Sequence, residues 1–276
     1  MFHIMNDFRS PREIHPLPRA AGSVLTSSLA LFPVVVVTGA RQTGKSTLVQ
    51  TLPELAGRPY LTLDDPELRD QARRDPASVL ARAESLVLDE VQRAPDLLLA
   101  VKRSVDMDRP RRPGRYVLTG SANLLLMERV SESLAGRAYY VKLWPLTRRE
   151  QLGLGRTGMW SELLATRVAE WASLVSSQQV PADDWRGFAR SGGLPVPAHE
   201  LRSADARARW FDGYIETYLE RDLQTLARID DLGDFRRLMR AAALRIGSVL
   251  NQADLARDVA LSRPTAHRWL NLLETS

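Results

Sequence analysis

The stretch Val34-Val35-Val36-Val37-Thr38-Gly39-Ala40-Arg41-Gln42-Thr43-Gly44-Lys45-Ser46-Thr47-Leu48-Val49 joins an apolar run, a glycine-bounded loop and a helix start. Its middle, Gly39 to Ser46, fits the phosphate-loop pattern G-x-x-x-x-G-K-[ST]. The valine run predicts a buried strand, and Ser46 to Leu52 predicts the first turns of a helix. That strand–loop–helix context is the one the motif needs. Two glycines let the loop wrap closely, so that its backbone N–H groups face a phosphate. The helix N-terminus adds positive potential. Lys45 reaches the β/γ-phosphates, and Ser46 supplies a hydroxyl to Mg²⁺. An ordinary glycine turn before a helix is the competing reading, and the preceding strand weighs against it.

Lysine usage strengthens the match. Of 38 basic residues only Lys45, Lys102 and Lys142 are lysines, the rest being arginine. The chain uses arginine almost everywhere for positive charge, yet places a compact ammonium where a phosphate loop requires one.

At 276 residues, two or three small domains fit better than one. The longest apolar run, Leu29 to Val37, is interrupted by Pro33 and is too short to span a bilayer. No apolar signal segment opens the chain, and there is no cysteine for disulfides or thiolate metal sites. A cytoplasmic protein without membrane contact is the simplest expectation. The net charge of +5 is uneven. Residues 1–150 are basic, 151–235 acidic and 236–276 basic again, which suggests three units with these bounds.

A proline-containing lead-in with one short helix near Gly22 to Leu31 precedes β/α alternation from 34 to 150. That alternation argues for a parallel sheet with helices on both faces. Strands are expected at Val34–Thr38, Tyr60–Leu63, Leu86–Leu88, Tyr116–Leu118 and Tyr139–Leu143. Helices are expected at Pro66–Arg74, Pro95–Asp106 and Leu124–Leu134. Beyond 151 the strand signal ends. Met159–Ser176 and Ala204–Ala227 read as long helices around the breaker Ser191-Gly192-Gly193-Leu194-Pro195-Val196-Pro197.

Three further sites carry chemistry. Leu86-Val87-Leu88 ends in Asp89 and Glu90. Beside a phosphate loop, the first acid at such a strand end holds Mg²⁺ through water, and the second orients and deprotonates an attacking water. A surface strand end is the plain alternative. Tyr116-Val117-Leu118-Thr119-Gly120-Ser121-Ala122-Asn123 is another strand followed by small polar residues. Ser121, ahead of Asn123, can hydrogen-bond the γ-phosphate or the water, or simply cap a helix. Arg137 follows Leu134-Ala135-Gly136 and can act on a neighbouring subunit's γ-phosphate, or be one surface arginine among many.

Together these segments resemble the AAA+ ATPase superfamily. More closely, they resemble a prokaryotic family that joins an AAA-type core to a C-terminal DUF4143 region. The resemblance rests on Thr38 to Thr47, Leu61-Thr62-Leu63-Asp64-Asp65, Leu88-Asp89-Glu90-Val91-Gln92, Leu118-Thr119-Gly120-Ser121 and Leu134-Ala135-Gly136-Arg137, and covers about residues 19 to 150. It implies an α/β fold with a five-stranded parallel sheet in the order 5-1-4-3-2, followed by a helical lid. It also implies ATP as the nucleotide, held by Gly39, Ala40, Arg41, Gln42, Thr43, Gly44, Lys45, Ser46 and Thr47. Asp89 and Glu90 then fall in Walker B, Ser121 becomes sensor 1 and Arg137 an arginine-finger candidate. Gly193-Leu194-Pro195 resembles the G-x-P lid motif of related switches, where the proline packs on adenine; a plain interhelical loop is the alternative. The residues themselves do not separate adenine from guanine, although the guanine-reading [NT]-K-x-D pattern is missing.

Residues 252 to 273 read as two short helices about a tight turn. Leu255, Val259, Leu261, Ala266, Leu270 and Leu273 form the inner face, and Ser262 caps the second helix. Arg263, Thr265, His267 and Arg268 are left outside, a helix-turn-helix pattern. DNA contact through 263–268 and packing against the lid are both open, as are a homo-oligomer and a protein partner. In the resembling family the pattern continues through wing strands into a nuclease-like region. This sequence stops at Glu274-Thr275-Ser276, so a partial winged helix is expected and nuclease activity is not carried over. His3, His15, His199 and His267 share no metal-ligand spacing. The reading is an Mg²⁺-dependent ATPase. A nucleotide-sensing switch with negligible turnover and a phosphate-loop kinase are its rivals.

Overall fold

The computed structural model describes residues 16–121, 134–155, 158–177, 185–218 and 231–275. Packing divides the chain into two compact units, residues 1–207 and 208–276. The division falls inside the 151–235 segment rather than at either of its expected ends.

The first unit is built on five parallel strands: β1 (Val34–Gly39), β2 (Tyr60–Thr62), β3 (Leu86–Asp89), β4 (Tyr116–Ser121) and β5 (Ala138–Lys142). Their order is β2-β3-β4-β1-β5, which is 5-1-4-3-2 read from the other edge. Val34 to Val37 are all fully buried. Val34 and Val36 pack on one face with Leu86, Leu88, Tyr116 and Leu118. That face lies beneath α3 (Pro66–Arg74), α4 (Pro76–Leu80) and α5 (Asp96–Met107). Val35 and Val37 pack on the other with Val87 and Val117, against residues of α1 (Ala21–Leu29) and α2 (Lys45–Thr51). Because helices cover both faces, the strands are continuous apolar runs rather than alternating ones. The helices of this unit start where local chemistry directs. Asp65 accepts from the Glu67 N–H at 2.9 Å ahead of Pro66, and Asp75 ends α3 and caps α4 through Ser78.

After β5 come α6 (Arg148–Gln151), α7 (Trp160–Ala165), α8 (Trp171–Ser177), α9 (Trp185–Ser191) and α10 (Ala204–Tyr218). The helix expected over 159–176 is interrupted. Thr166 and Arg167 are extended, with ψ of 149° and 143°. The Trp171 indole N–H takes the Leu163 and Thr166 carbonyls, and the Thr166 hydroxyl takes the Glu162 carbonyl. Side chains thus satisfy carbonyls that a continuing helix would have used. The helix expected from Ala204 is seen through Tyr218; its remainder, Asn123 and most of the helix expected at 124–134 lie outside the described residues.

In the second unit, α11 (Leu232–Ala243), α12 (Gln252–Asp258) and α13 (Arg263–Thr275) enclose Phe235, Leu238, Leu255, Ala256, Val259, Ala266 and Trp269. Phe235 and Trp269 meet edge-to-face at 5.4 Å. Trp269, not Leu270, is the most buried residue beside Ala266, so α13 is rotated slightly from the expected face; Leu270 and Leu273 flank it. Ser262 caps α13 as expected, accepting from the Thr265 N–H. Arg263, His267 and Arg268 are exposed, and Thr265 is half-buried.

Candidate nucleotide site

The loop after β1 lies at the C-terminal edge of the sheet. Gly44, at φ 91°, caps α2 in a conformation that a side chain disfavours. The Thr43 side chain is buried, and its hydroxyl bonds the Ala40 carbonyl at 2.9 Å. Lys45 is 5% exposed, and its ammonium donates to the Gly39 and Ala40 carbonyls at 2.9 Å each. The cation therefore sits over the inner curve of the loop. Ala40, Arg41 and Gln42 form its outer part, and Thr47 faces outward on the first turn of α2.

Register brings the other residues to this edge. β4 pairs with β1 so that Ser121 lies opposite Gly39. Asp89 ends β3, next in line beyond β4. The Ser46 hydroxyl is 3.2 Å from both Asp89 carboxylate oxygens. Tyr60 on β2 and Thr119 on β4 also donate to Asp89, and Thr119 accepts the Glu90 backbone N–H at 3.3 Å. This oxygen-only, largely buried donor set suits a hard cation such as Mg²⁺. Among the described residues no three His, Cys, Asp or Glu side chains cluster, so a cation touching Ser46, and held by Asp89 through water, would draw its other ligands from phosphate and water.

Glu90 turns the chain sharply, with φ 58° and ψ 42°. Burial, and then the neighbouring Asp89 charge, push its carboxyl above the ordinary glutamate range; Asp64 adds to the rise. Lys45 and a hydrogen bond from Gln92 pull the other way. A half-buried carboxylate with raised proton affinity, beside a metal-type acid, is suited to accept a proton from water.

A cleft of about 280 Å³ adjoins the loop, with Arg19, Gly44, Thr47, Leu48, Leu146 and Pro195 in its walls. Pro195 thus lies at the phosphate loop. It is seated there by Gly193, whose carbonyl accepts the Leu146 N–H at 2.6 Å. A Cβ on Gly193 would stand 2.7 Å from the Leu146 carbonyl oxygen, so only glycine fits. A π-helical turn, Val196–Glu200, follows, and its His199 and Glu200 also line the cleft.

Sequence reasoning missed Tyr60, Thr119 and Arg19. Buried Arg19 bonds the Thr43 and Trp144 carbonyls and pairs with Glu150 at 3.1 Å, tying the segment before α1 to the loop. Neither a motif nor a spacing marks these three; only strand adjacency and the chain path bring them in.

Arg137 lies elsewhere. Its carbonyl accepts the Val34 N–H, at the opposite edge of the sheet from the loop. Its guanidinium forms a two-pronged pair with Asp106 at 2.7 and 2.8 Å. Across β1 that is roughly 15–20 Å from the loop, at about 3.3 Å per residue. Arg137 therefore cannot serve the loop of its own chain.

Residues 31–152 match a family model described as an AAA domain (AAA_14), and residues 182–276 match a domain of unknown function (DUF8612). The second finding corrects the expected DUF4143 region. A helical segment's place after the core carries no information about which helical domain it is. Two curated relatives, "Uncharacterized protein Rv2008c" of Mycobacterium tuberculosis and "Uncharacterized protein Mb2031c" of Mycobacterium bovis, are each 34% identical over 257 residues. The match covers 92% of this chain and 51% of each relative, so the chain spans about half the length of the curated relatives it matches. Among solved structures, the "Walker-type ATPase" of Pyrococcus abyssi aligns over 95% of this chain and 92% of its own, with a TM-score of 0.52 and 16% identity. Residues 31–152 are thus similar to an AAA domain, and the core of this chain has the α/β fold of P-loop ATPases.

Proposed function

We propose that the protein binds ATP with Mg²⁺ at this loop and hydrolyses it. One observation carries the reading: Ser46 of the loop and Asp89 of the next acidic strand end share hydrogen bonds, with Glu90 adjacent at the same edge. In this reading Gly39 to Thr47 and Lys45 hold the phosphates, and Ser46 and Asp89 hold the cation, which neutralises charge on the β- and γ-oxygens when bound. Glu90 orients water and takes its proton. Ser121, opposite Gly39, stands where a hydroxyl can donate to the γ-phosphate or the water. Pro195 packs on the adenine in the cleft. Arg137 acts on the nucleotide of a second copy.

We assign residues 1–150 to the ATPase core, 151–235 to a lid and 236–276 to a helix-turn-helix end. Nucleotide state reaches the lid through Pro195, and DNA meets the exposed Arg263 and Arg268. A switch with negligible turnover is the second reading. ATP turnover with Mg²⁺ by wild type and Glu90→Gln, with and without duplex DNA, separates them. We expect turnover that vanishes in the variant while ATP binding survives, and that duplex DNA raises. Tight binding with no wild-type turnover under either condition would leave the switch.

A further inference from the structure

Asp89 is held from both sides of its strand. β3 lies between β2 and β4, and each neighbour sends one hydroxyl to the same carboxylate. Thr119 on β4 donates to Oδ1, and Tyr60 on β2 donates to Oδ2 at 2.5 Å. A phenol carries its proton throughout the physiological range, so beside an ionised carboxylate Tyr60 is the donor. A hydroxyl has one proton to give. Tyr60 uses its O–H to donate a hydrogen bond to Asp89, and Thr119 does the same while its oxygen accepts from the Glu90 N–H. Both carboxylate oxygens therefore already accept a strong donor, and the carboxylate plane cannot rotate without breaking one of them.

We propose that Tyr60 is a positioning residue for the divalent cation: with Thr119 it fixes Asp89 so that the carboxylate holds the metal through water and not by direct contact. The inference rests on the Mg²⁺–ATP reading of this site. Its chemistry follows from cation hydration. Mg²⁺ gives up water reluctantly and suits a carboxylate that bonds its water shell. Ca²⁺ sheds water more readily and accepts direct, even two-oxygen, carboxylate contact. Removing the phenol oxygen leaves Oδ2 with only the longer Ser46 contact at 3.2 Å and lets Asp89 swing toward the second kind of contact.

The test is binding of a fluorescent ATP analogue to the full chain, titrated with Mg²⁺, with Ca²⁺ and in EDTA. For Tyr60→Phe we expect the Mg²⁺ needed for half-maximal enhancement to rise about tenfold, the range seen when groups that orient metal ligands are lost. The Ca²⁺ requirement should change less, and affinity in EDTA should match wild type. Thr119→Ser keeps the hydroxyl and should behave as wild type, whereas Thr119→Val should repeat the Tyr60→Phe shift. An unchanged Mg²⁺ requirement in Tyr60→Phe would overturn the proposal. Equal loss of binding in Mg²⁺ and in EDTA would also overturn it, because that marks a general structural defect. If wild type binds no ATP analogue with Mg²⁺, it is the nucleotide reading that fails.

Discussion

Glu90 carries the heaviest local demands of any residue in the site. Its left-handed backbone costs about 1–2 kcal/mol in a residue with a Cβ, and its carboxylate is half-buried beside another acid. Both are tolerated because the turn aims the carboxyl at the sheet edge, and strain at such positions points to function. The pH consequence has a definite sign. In the proposed role of base Glu90 works only when ionised, and burial with Asp89 raises its proton affinity. Turnover should therefore fall, on acidification, at a higher pH than an ordinary glutamate would give. Gln92 donates to the Glu90 carboxylate and opposes the rise. In Gln92→Ala the acidic limb of the kcat profile should move to still higher pH; a limb that stays put or moves down would remove Glu90 from the role of base. Glu90 was legible in the sequence because it follows an apolar run after a phosphate loop. Tyr60 and Thr119 were not, since hydroxyls within strands gain meaning only once the neighbours of β3 are known.

At the scale of elements, the turn between α12 and α13 shows how closely the second unit follows local rules. The Leu261 N–H bonds the Ala256 carbonyl at 2.9 Å, and the Ala260 N–H bonds the Arg257 carbonyl at 3.1 Å. This paired pattern ends a helix through a left-handed residue, usually glycine, yet here it is Ala260 at φ 57°. Ala260→Gly should relieve the strain and lose part of the gain to the looser unfolded chain, for a net stabilisation of roughly 0.5 kcal/mol. Urea unfolding of the full chain, followed on tryptophan fluorescence, reads it as a higher midpoint at unchanged slope; a lower midpoint would contradict the strain argument. The strands of the first unit were readable for a different reason. Burial on both faces writes them as unbroken apolar runs. Their order was not readable in this way and came only with the family resemblance. The break at Thr166 escaped because a threonine and a distant indole, rather than a glycine or proline, end that helix.

For the whole molecule, the two edges of one sheet hold separate chemistry. The loop, Asp89 and Glu90 sit at one edge, and Arg137, paired with Asp106, sits at the other. With Arg137 acting between copies, turnover per chain should rise with protein concentration, and Arg137→Ala should flatten that rise and lower turnover on the order of 10³-fold. Steady-state rates across a dilution series check this, and a rate per chain independent of concentration would make Arg137 a structural partner of Asp106. Among the described residues no helix is long and apolar enough to cross a membrane. The four valines of β1 have one more consequence. Slid by two residues, the strand presents the same apolar faces; slid by one, it exchanges two faces that are both buried. Its own side chains therefore contain almost no alignment information. The alignment must be keyed by the polar ends, where Gly39 meets Ser121 and where Tyr60 and Thr119 meet Asp89. The residues proposed to perform the chemistry are then also the fiducial marks by which the sheet finds its single correct alignment. Damage to them will show in the yield of correctly assembled protein as well as in turnover.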